Sequence, residues 1–531
     1  MPSVSSSASD TTWSDLSLSP KDLEFIYNLL LDREVPLTTR EMAQALIAHR
    51  LERRAREAEL ARSMEMPVYL PEASFAIGEE IRFAHLGNAR GRVLGVRPGA
   101  NPDLGQFEVI QVELEGSGGR REFATRLAEH VLNHPPEQPS PGDELETPDS
   151  VMARYGPRIE KRLQEQLAQA PDIVRIAGRW FPKALLAEIH AGHLNLAEAV
   201  LDVAGGGPLP TEDLLKELGM PPGLDPLLAQ FSLDYALQTD ERFDEVGPAG
   251  QVLWYLRRLE PPEVLSTPPR LEPARFSAER GELTEPLQQL ERDLDDELSP
   301  LESPDGDPEA ATLPLLFCHW RVGTLPLSSR LRPLFPTAYE APRIRFILVD
   351  GHSGEKFPGW VVREPRYVHG LEQWYRRHEV PVGGLVRVRK GKAPGEVVVE
   401  TIDRRRRNDW IRTIRLDADG HIGFSMLKQP VGAAFDELMV IGLADPKALD
   451  QAWLQGQERH MPIERLVAQV FRDLAKLNPQ SAVHAQALYS AVNVIQRLPP
   501  APIFRELMTR TYYAHVGDLY WRFDESAWSA A

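Results

Sequence analysis

The chain has one cysteine, Cys318, in 531 residues, which excludes an intrachain disulfide and any zinc site built from several cysteines. Its neighbours Phe317 and Trp320 mark a buried thiol. No apolar run approaches the roughly 18 residues needed to cross a bilayer, and the Ser-rich stretch from Met1 to Thr12 lacks the basic-then-apolar order of a secretory signal. A soluble, cytoplasmic protein with no membrane partner is expected. Positive charge is also short in aggregate, with 60 Lys and Arg against 78 Asp and Glu and a net charge of -18. That balance excludes a protein that coats DNA indiscriminately, because phosphate neutralisation supplies most non-specific affinity.

Catalytic signatures are missing as well. Gly205 to Gly207 are not followed by the Lys-Ser/Thr pair with which a P-loop holds phosphate and magnesium. His190 and His193 stand at i, i+3 with Glu188, but no further ligand completes a metal shell. Asp436, with Asp445-Pro446-Lys447 after the apolar run LMVIGLA, approximates the acidic pair and lysine of a metal-dependent nuclease, and Pro446 breaks the strand that signature needs. The chain is therefore expected to be no enzyme and to carry neither metal nor cofactor.

What is present is an ordinary globular composition, 42% hydrophobic and 26% charged, over a length that calls for several domains. Charge is unevenly spread. Residues 260–310 hold 15 acidic against 4 basic side chains, in a Pro- and Gly-laced stretch that reads as a linker. Residues 340–415 hold 17 basic against 10 acidic, a local positive surface that could attract phosphate despite the acidic whole.

The expected fold class is α+β multidomain, with a small β-barrel, a central β pseudobarrel and winged-helix domains. A tail over 1–18 precedes a helical hairpin over 19–66, capped at Ser19-Pro20, in which VPLTTREMAQALIAHRL reads like the turn and second helix of a helix-turn-helix. Short alternating strands over 67–134 (FAIGEEIRF, ARGRVLGVR, QFEVIQVEL, REFATRL) close into a small barrel, and their glycine turns resemble SH3-like barrels of KOW and Tudor type. A linker over 135–150 leads to a helical and winged-helix domain over 151–262. The acidic linker over 263–312, a pseudobarrel over 313–428, a connector over 429–459 and a winged-helix-like domain over 460–531 complete the chain.

Within 179–260, the helix around Leu194 to Val203, PLPTEDLLKELG and DERFDEVGPAGQVLWYL resemble the HARE helix-turn-helix family. Asp240, Arg242, Phe243, Gly247, Gly250 and Trp254 carry the likeness. The family implies contact with DNA or the transcription machinery, although Asp240, Glu241, Asp244 and Glu245 make this copy acidic. A related layout recurs at the C-terminus, where Val516-Gly517-Asp518 and Trp521 parallel Val246-Gly247-Pro248 and Trp254.

The strands LPLLFCHWRVGTLPLS, RIRFILVD, FPGWVVRE, GLVRVRK, EVVVET, WIRTIRL and IGFSML, with the short helix GLEQWYRRHEV among them, imply a closed or nearly closed barrel. Leu325-Pro326-Leu327, Leu334-Phe335-Pro336, Asp350 before Gly354, and the Trp374-Tyr375 helix resemble, in that order, the DNA-binding pseudobarrel of plant B3 transcription factors. The family's Gly-Asp turn is Gly383-Gly384 here. The resemblance implies two loop arms entering the major groove of double-stranded DNA, around Arg321 to Arg332 and Arg363 to Tyr367.

Arginine suits both base reading and phosphate clamping. Arg330, Arg332, Arg363 and Arg366 are the expected DNA-facing residues, with Arg404, Arg405, Arg406 and Arg407 as phosphate contacts or else a solvated turn. Arg345, Lys356, Arg387, Arg389, Lys390 and Lys392 are weaker candidates. The expected role is transcription regulation or genome defence as an accessory factor. The alternatives are a scaffold that binds RNA polymerase or another protein, and the nuclease.

Overall fold

The computed structural model describes residues 18–63, 66–86, 89–101, 105–115, 119–133, 147–219, 223–275, 283–304, 306, 308–417, 419–457 and 461–528. The tail expected over 1–18, apart from Leu18, and most of the 135–150 linker lie outside the described residues. The chain is α+β and divides into two units, residues 1–175 with 179–185, and residues 176–178 with 186–531.

In the first unit Ser19 and Asp22 form a capping box that starts α1 (Pro20–Arg33), and Glu34 in the left-handed region ends it. Strand β1 (Leu37–Thr38) and α2 (Thr39–Ser63) follow. The expected barrel strands appear as an antiparallel meander, β2 (Glu80–Phe83), β3 (Ala89–Pro98), β4 (Glu108–Leu114) and β5 (Arg120–Thr125), paired in chain order. Ile81, Phe83, Val93, Ile110 and Val112 pack on Tyr69 and Phe75 as its core. A second capping box, Thr147 with Ser150, starts α3 (Pro148–Leu167), and β6 (Ile173–Ile176) and β7 (Arg179–Pro182) end the segment. Helix α3, expected at the head of the domain over 151–262, packs on α1 and α2 instead. Ile26, Leu30, Met42, Leu46, Ile159 and Leu163 share one core with Trp180. The meander is thus an insertion between the second and third helices of one module.

That module's order, helix, short strand, helix, helix and hairpin, occurs twice more in the second unit. The first copy is α4 (Ala191–Val203), β8 (Leu209–Pro210), α5 (Thr211–Leu218), α6 (Pro226–Thr239), β9 (Phe243–Glu245) and β10 (Leu253–Leu256). After the short helices α7 (Pro262–Leu265) and α8 (Glu285–Leu294) comes the central β-module. It comprises β11 (Ala310–Pro314), α9 (Phe317–Val322), β12 (Thr324–Pro326), β13 (Arg343–Asp350), β14 (Lys356–Val362), β15 (Tyr367–His369), α10 (Glu372–Arg377), β16 (Leu385–Lys390) and β17 (Glu396–Thr401). Beyond it lie β18 (Asp403–Leu416), β19 (Ile422–Ala433), β20 (Gly442–Leu443) and α11 (Pro446–Gln457). The last copy is α12 (Ile463–Ala475), β21 (Ala482–His484), α13 (Ala485–Ile495), α14 (Pro500–Thr509), β22 (Tyr513–Gly517) and β23 (Tyr520–Phe523).

In all three modules the final strand is central in a three-stranded sheet or lies next to the short strand, β1-β7-β6, β8-β10-β9 and β21-β23-β22. A tryptophan on that strand faces the short strand in equivalent register, as Leu37↔Trp180, Leu209↔Trp254 and Val483↔Trp521. The Trp180 indole donates to Thr39 Oγ1 at 2.9 Å, and the Trp254 indole donates to Thr211 Oγ1 at 3.1 Å and Asp234 Oδ1 at 2.9 Å. Each threonine opens the second helix of its module. Ala485 stands there in the third copy.

The central sheet has seven strands in the order β11-β16-β17-β13-β14-β15-β12, curled into a half-barrel. Neighbours are antiparallel except for β13 and β17. Period-two alternation on β13 turns Ile344, Phe346 and Leu348 inward onto Leu325, Leu334, Phe335 and Trp374. Two sequence expectations differ here. LLFCHWRV, read within a strand, includes helix α9. WIRTIRL and IGFSML lie on β18 and β19, which pair with β20 in a separate sheet. Ile411, Ile414 and Phe424 of that hairpin share one core with Val467 and Val470 of α12.

The expected acidic linker is not a solvated tether where it is described. Leu287 and Leu290 bury one face of α8, and Asp295, Asp296 and Glu297 after it are each only 4% exposed. Composition suggested a linker because acidic residues usually stay in water. Here they are inside because donors surround them.

Asp234 is buried beneath Trp254 and Thr211, and burial pushes its carboxyl up to about 7, against the pull of those two hydrogen bonds. A raised folded-state value means that its stabilising effect is full below about pH 4 and is lost as pH rises through 7, by up to about 4 kcal/mol. Asp234→Asn should flatten the decline in urea-melt stability between pH 4 and 7. An unchanged pH profile would contradict this.

Candidate nucleic-acid interface

Two adjacent loops of the central module carry the expected DNA-facing arginines. The first leaves β12 and runs through Ser328 to Leu334; the second is the β14–β15 turn, Arg363 to Arg366. The backbone joins them, since Leu327 N donates to Arg366 O at 2.8 Å. Arg366 sits at φ 60, a left-handed conformation that a non-glycine residue holds only when its surroundings fix it.

Between the loops lies a cavity of about 480 Å³ lined by Arg332, Arg363 and Arg366, with Glu364, Thr337, Leu327, Pro336, Pro342 and Val361. Arg363 Nη1 donates to Ala341 O at 2.8 Å, and Arg366 Nη1 donates to Glu297 O at 2.9 Å. Each guanidinium keeps further N–H groups beyond that one anchor. The Arg332 side chain makes no hydrogen bond or ion pair among the described residues. Sequence reasoning thus named three residues that meet in one cavity, with a single carboxylate, Glu364, in its lining.

Arg330 has a different place. Its Nε donates to Asp295 Oδ2 at 3.1 Å and its Nη2 to Asp293 O at 2.7 Å. Asp295 also accepts from Ser328 Oγ, Ser329 Oγ and the Ser329 and Arg330 amides. One buried carboxylate therefore holds three successive residues of the loop, and Arg330 acts as part of that clamp.

The run from Arg404 to Arg407 lies along β18, not in a turn, and none of it lines the cavity. Arg404 and Arg407 both approach Asp409, at 3.4 and 2.9 Å, and Arg406 approaches Glu379 at 3.5 Å. Arg405 is exposed. Among the weaker candidates, Lys356 and Arg389 are paired across strands with Glu396 and Glu400, and Arg345 lies over the Tyr255 ring. Arg321, at the edge of the first expected arm, is bound by Asp450.

Sequence reading missed the group behind the cavity. Arg497, buried, donates through Nη2 to Asp296 Oδ1 at 2.7 Å and Glu297 Oε1 at 2.6 Å, and through Nη1 to Asn493 Oδ1 and Leu498 O. Tyr489 donates to Asp296, and His319 Nε2 lies 3.1 Å from Glu297 Oε1. Burial raises the Asp296 carboxyl. Burial acts the same way on Glu297, but Arg497 and His319 outweigh it and hold that carboxyl well below the usual range. The only sequence signal was three consecutive acids set between Leu294 and Leu298.

The hairpin of the second module faces the same half-barrel. Arg345 N donates to Val246 O at 2.9 Å and Ala249 N to Thr337 O at 2.6 Å, while Arg343 pairs with Asp244 and Glu260. Of the acids that weighed against DNA contact by this hairpin, Asp244 meets an arginine of β13 and Asp240 holds Arg242. The candidate nuclease carboxylates have local partners: Asp445 caps α11, and Asp436 accepts from Leu438 N and Gln486 Nε2. No group of three His, Cys, Asp or Glu that could hold a metal occurs among the described residues, and no described helix is long and apolar enough to cross a membrane.

Comparison with protein-family models, with curated proteins and with solved structures finds no match.

Arg497→Met should destabilise the chain by about 3–5 kcal/mol, because it leaves two carboxylates buried without their cation. Chemical denaturation measures this. A loss under about 1 kcal/mol would show that the pair is not buried as described.

Proposed function

We propose that this chain is a non-enzymatic, multidomain, cytoplasmic DNA-binding protein that reads double-stranded DNA through the loops around the arginine-lined cavity. Its role is transcription regulation or accessory work in genome defence. The observation that carries the reading is the meeting of Arg332, Arg363 and Arg366 at one opening beside the sheet, with the Arg332 side chain bound to no other described residue. A planar guanidinium held this way can bond a guanine edge or a phosphate in two places.

The finer fold assignments support the same reading. Seven strands in one curled sheet, with the Leu325-Pro326 strand leading to Leu334-Phe335-Pro336 and a short helix following β15, support a pseudobarrel of the plant B3 kind. Helix, strand, helix, helix and hairpin, with the last strand against the short one, is the order of a winged helix. The meander fits a small SH3-like barrel. Several weak DNA contacts on one chain reinforce one another through effective concentration.

The scaffold reading, with RNA polymerase or another protein as partner, is favoured by one observation. The hairpin of the second module is packed on the central sheet, so this copy already serves a protein surface. Salt separates the two readings, since a DNA complex weakens steeply as salt rises and an apolar protein interface does not.

Arg332→Gln removes a side chain that braces no described residue, so its effect on binding is free of a folding defect. With pools of random duplex, it should weaken sequence-preferring binding by about 1–3 kcal/mol, and Arg363→Ala with Arg366→Ala should weaken it further. Wild-type affinity in both variants would rule out the cavity.

A further inference from the structure

The three modules of equal element order differ in the length and charge of their third helix. Helix α3 spans 20 residues and buries Val151, Met152, Tyr155, Ile159, Leu163 and Leu167 against its own module. Its other face exposes Arg154, Arg158, Lys161 and Arg162, at i, i+4, i+7 and i+8, which is one stripe of a helix about 12 Å long. Arg162 shares its charge with Glu165 at 3.2 Å. Arg158 and Lys161 have no hydrogen-bond or ion-pair partner among the described residues.

The equivalent helices carry nothing like this. Helix α6 has no lysine or arginine in its sequence, and Ala229, Phe231, Ser232, Leu233, Asp234 and Leu237 on it are buried. Helix α14 has one, Arg505, which is half-buried. Arg154 lies over the Tyr155 ring and Arg162 pairs with Glu165, but the concentration of four cations on one exposed face of a protein of net charge -18 goes beyond what those two local contacts use.

We propose that the exposed face of α3 is a second contact for double-stranded DNA, separate from the cavity. The occupant follows from charge and shape. A helix is the element the roughly 12 Å major groove admits, and a row of lysine and arginine matches the phosphates along its walls. The inference rests on the reading that the chain binds duplex, and it adds a site in the other unit.

The test uses the full chain with Arg158→Gln, Lys161→Gln and Arg162→Gln combined, and duplex affinity measured from low to high salt. For every phosphate no longer neutralised, the slope of log K against log salt becomes shallower by about 0.9. With three cations removed the slope should fall by about 2 to 3, and affinity near physiological salt by at least about tenfold. Glu165→Gln, on the same face with the opposite charge change, should bind duplex more tightly than wild type, a gain that a merely structural role would not give. Unchanged slope and affinity in the triple variant, with the wild type binding duplex, overturn the α3 contact and leave the cavity reading standing. Absence of duplex binding by the wild type overturns both.

Discussion

Asp295, Asp296 and Glu297 are the constraint on which the central part of the molecule depends. They follow α8 consecutively and face different ways. Asp295 gathers the hydroxyls and amides of Ser328 to Arg330, and Asp296 and Glu297 bind Arg497 and Tyr489 of the third module. The Glu297 carbonyl anchors Arg366. Carboxylates cost several kcal/mol each to take out of water, and only this density of donors offsets that cost. In return both arginine loops are referred to one short segment. A site that must place guanidinium groups to within a fraction of an ångström needs such support from behind.

The repeated modules show how one fold is put to different uses. All three keep a tryptophan on the last strand against the short strand, so the internal frame is common. What varies is the outside. The first module presents a cationic helix, the second lays its hairpin on the half-barrel, and the third shares its core with the β18–β19 hairpin and gives Arg497 to the acidic segment. Identical topology therefore gives no warrant for identical partners.

Much of the local structure was legible in the sequence. Ser19-Pro20, the alternation in RIRFILVD and the GLEQWYRRHEV helix all fold as their patterns dictate, because each depends on near neighbours. Arg332, Arg363 and Arg366 could be singled out because leucine-proline and glycine landmarks located the loops around them. What could not be read was long-range. Nothing local shows that α3 crosses a whole inserted meander to pack on α1 and α2, or that β18 leaves the sheet its predecessors form. The acidic segment misled for the same reason. Its donors, Ser328, Tyr489 and Arg497, lie 33, 193 and 201 positions away.

The account turns on Asp295 fixing the loop that presents Arg332, and hydrogen exchange of the Ser328 to Leu334 peptide in the wild type and in Asp295→Ala measures this directly. Strong protection in the wild type, absent from this peptide in the variant while the β13 peptide stays protected, is the predicted result. Equal protection in both proteins would contradict it.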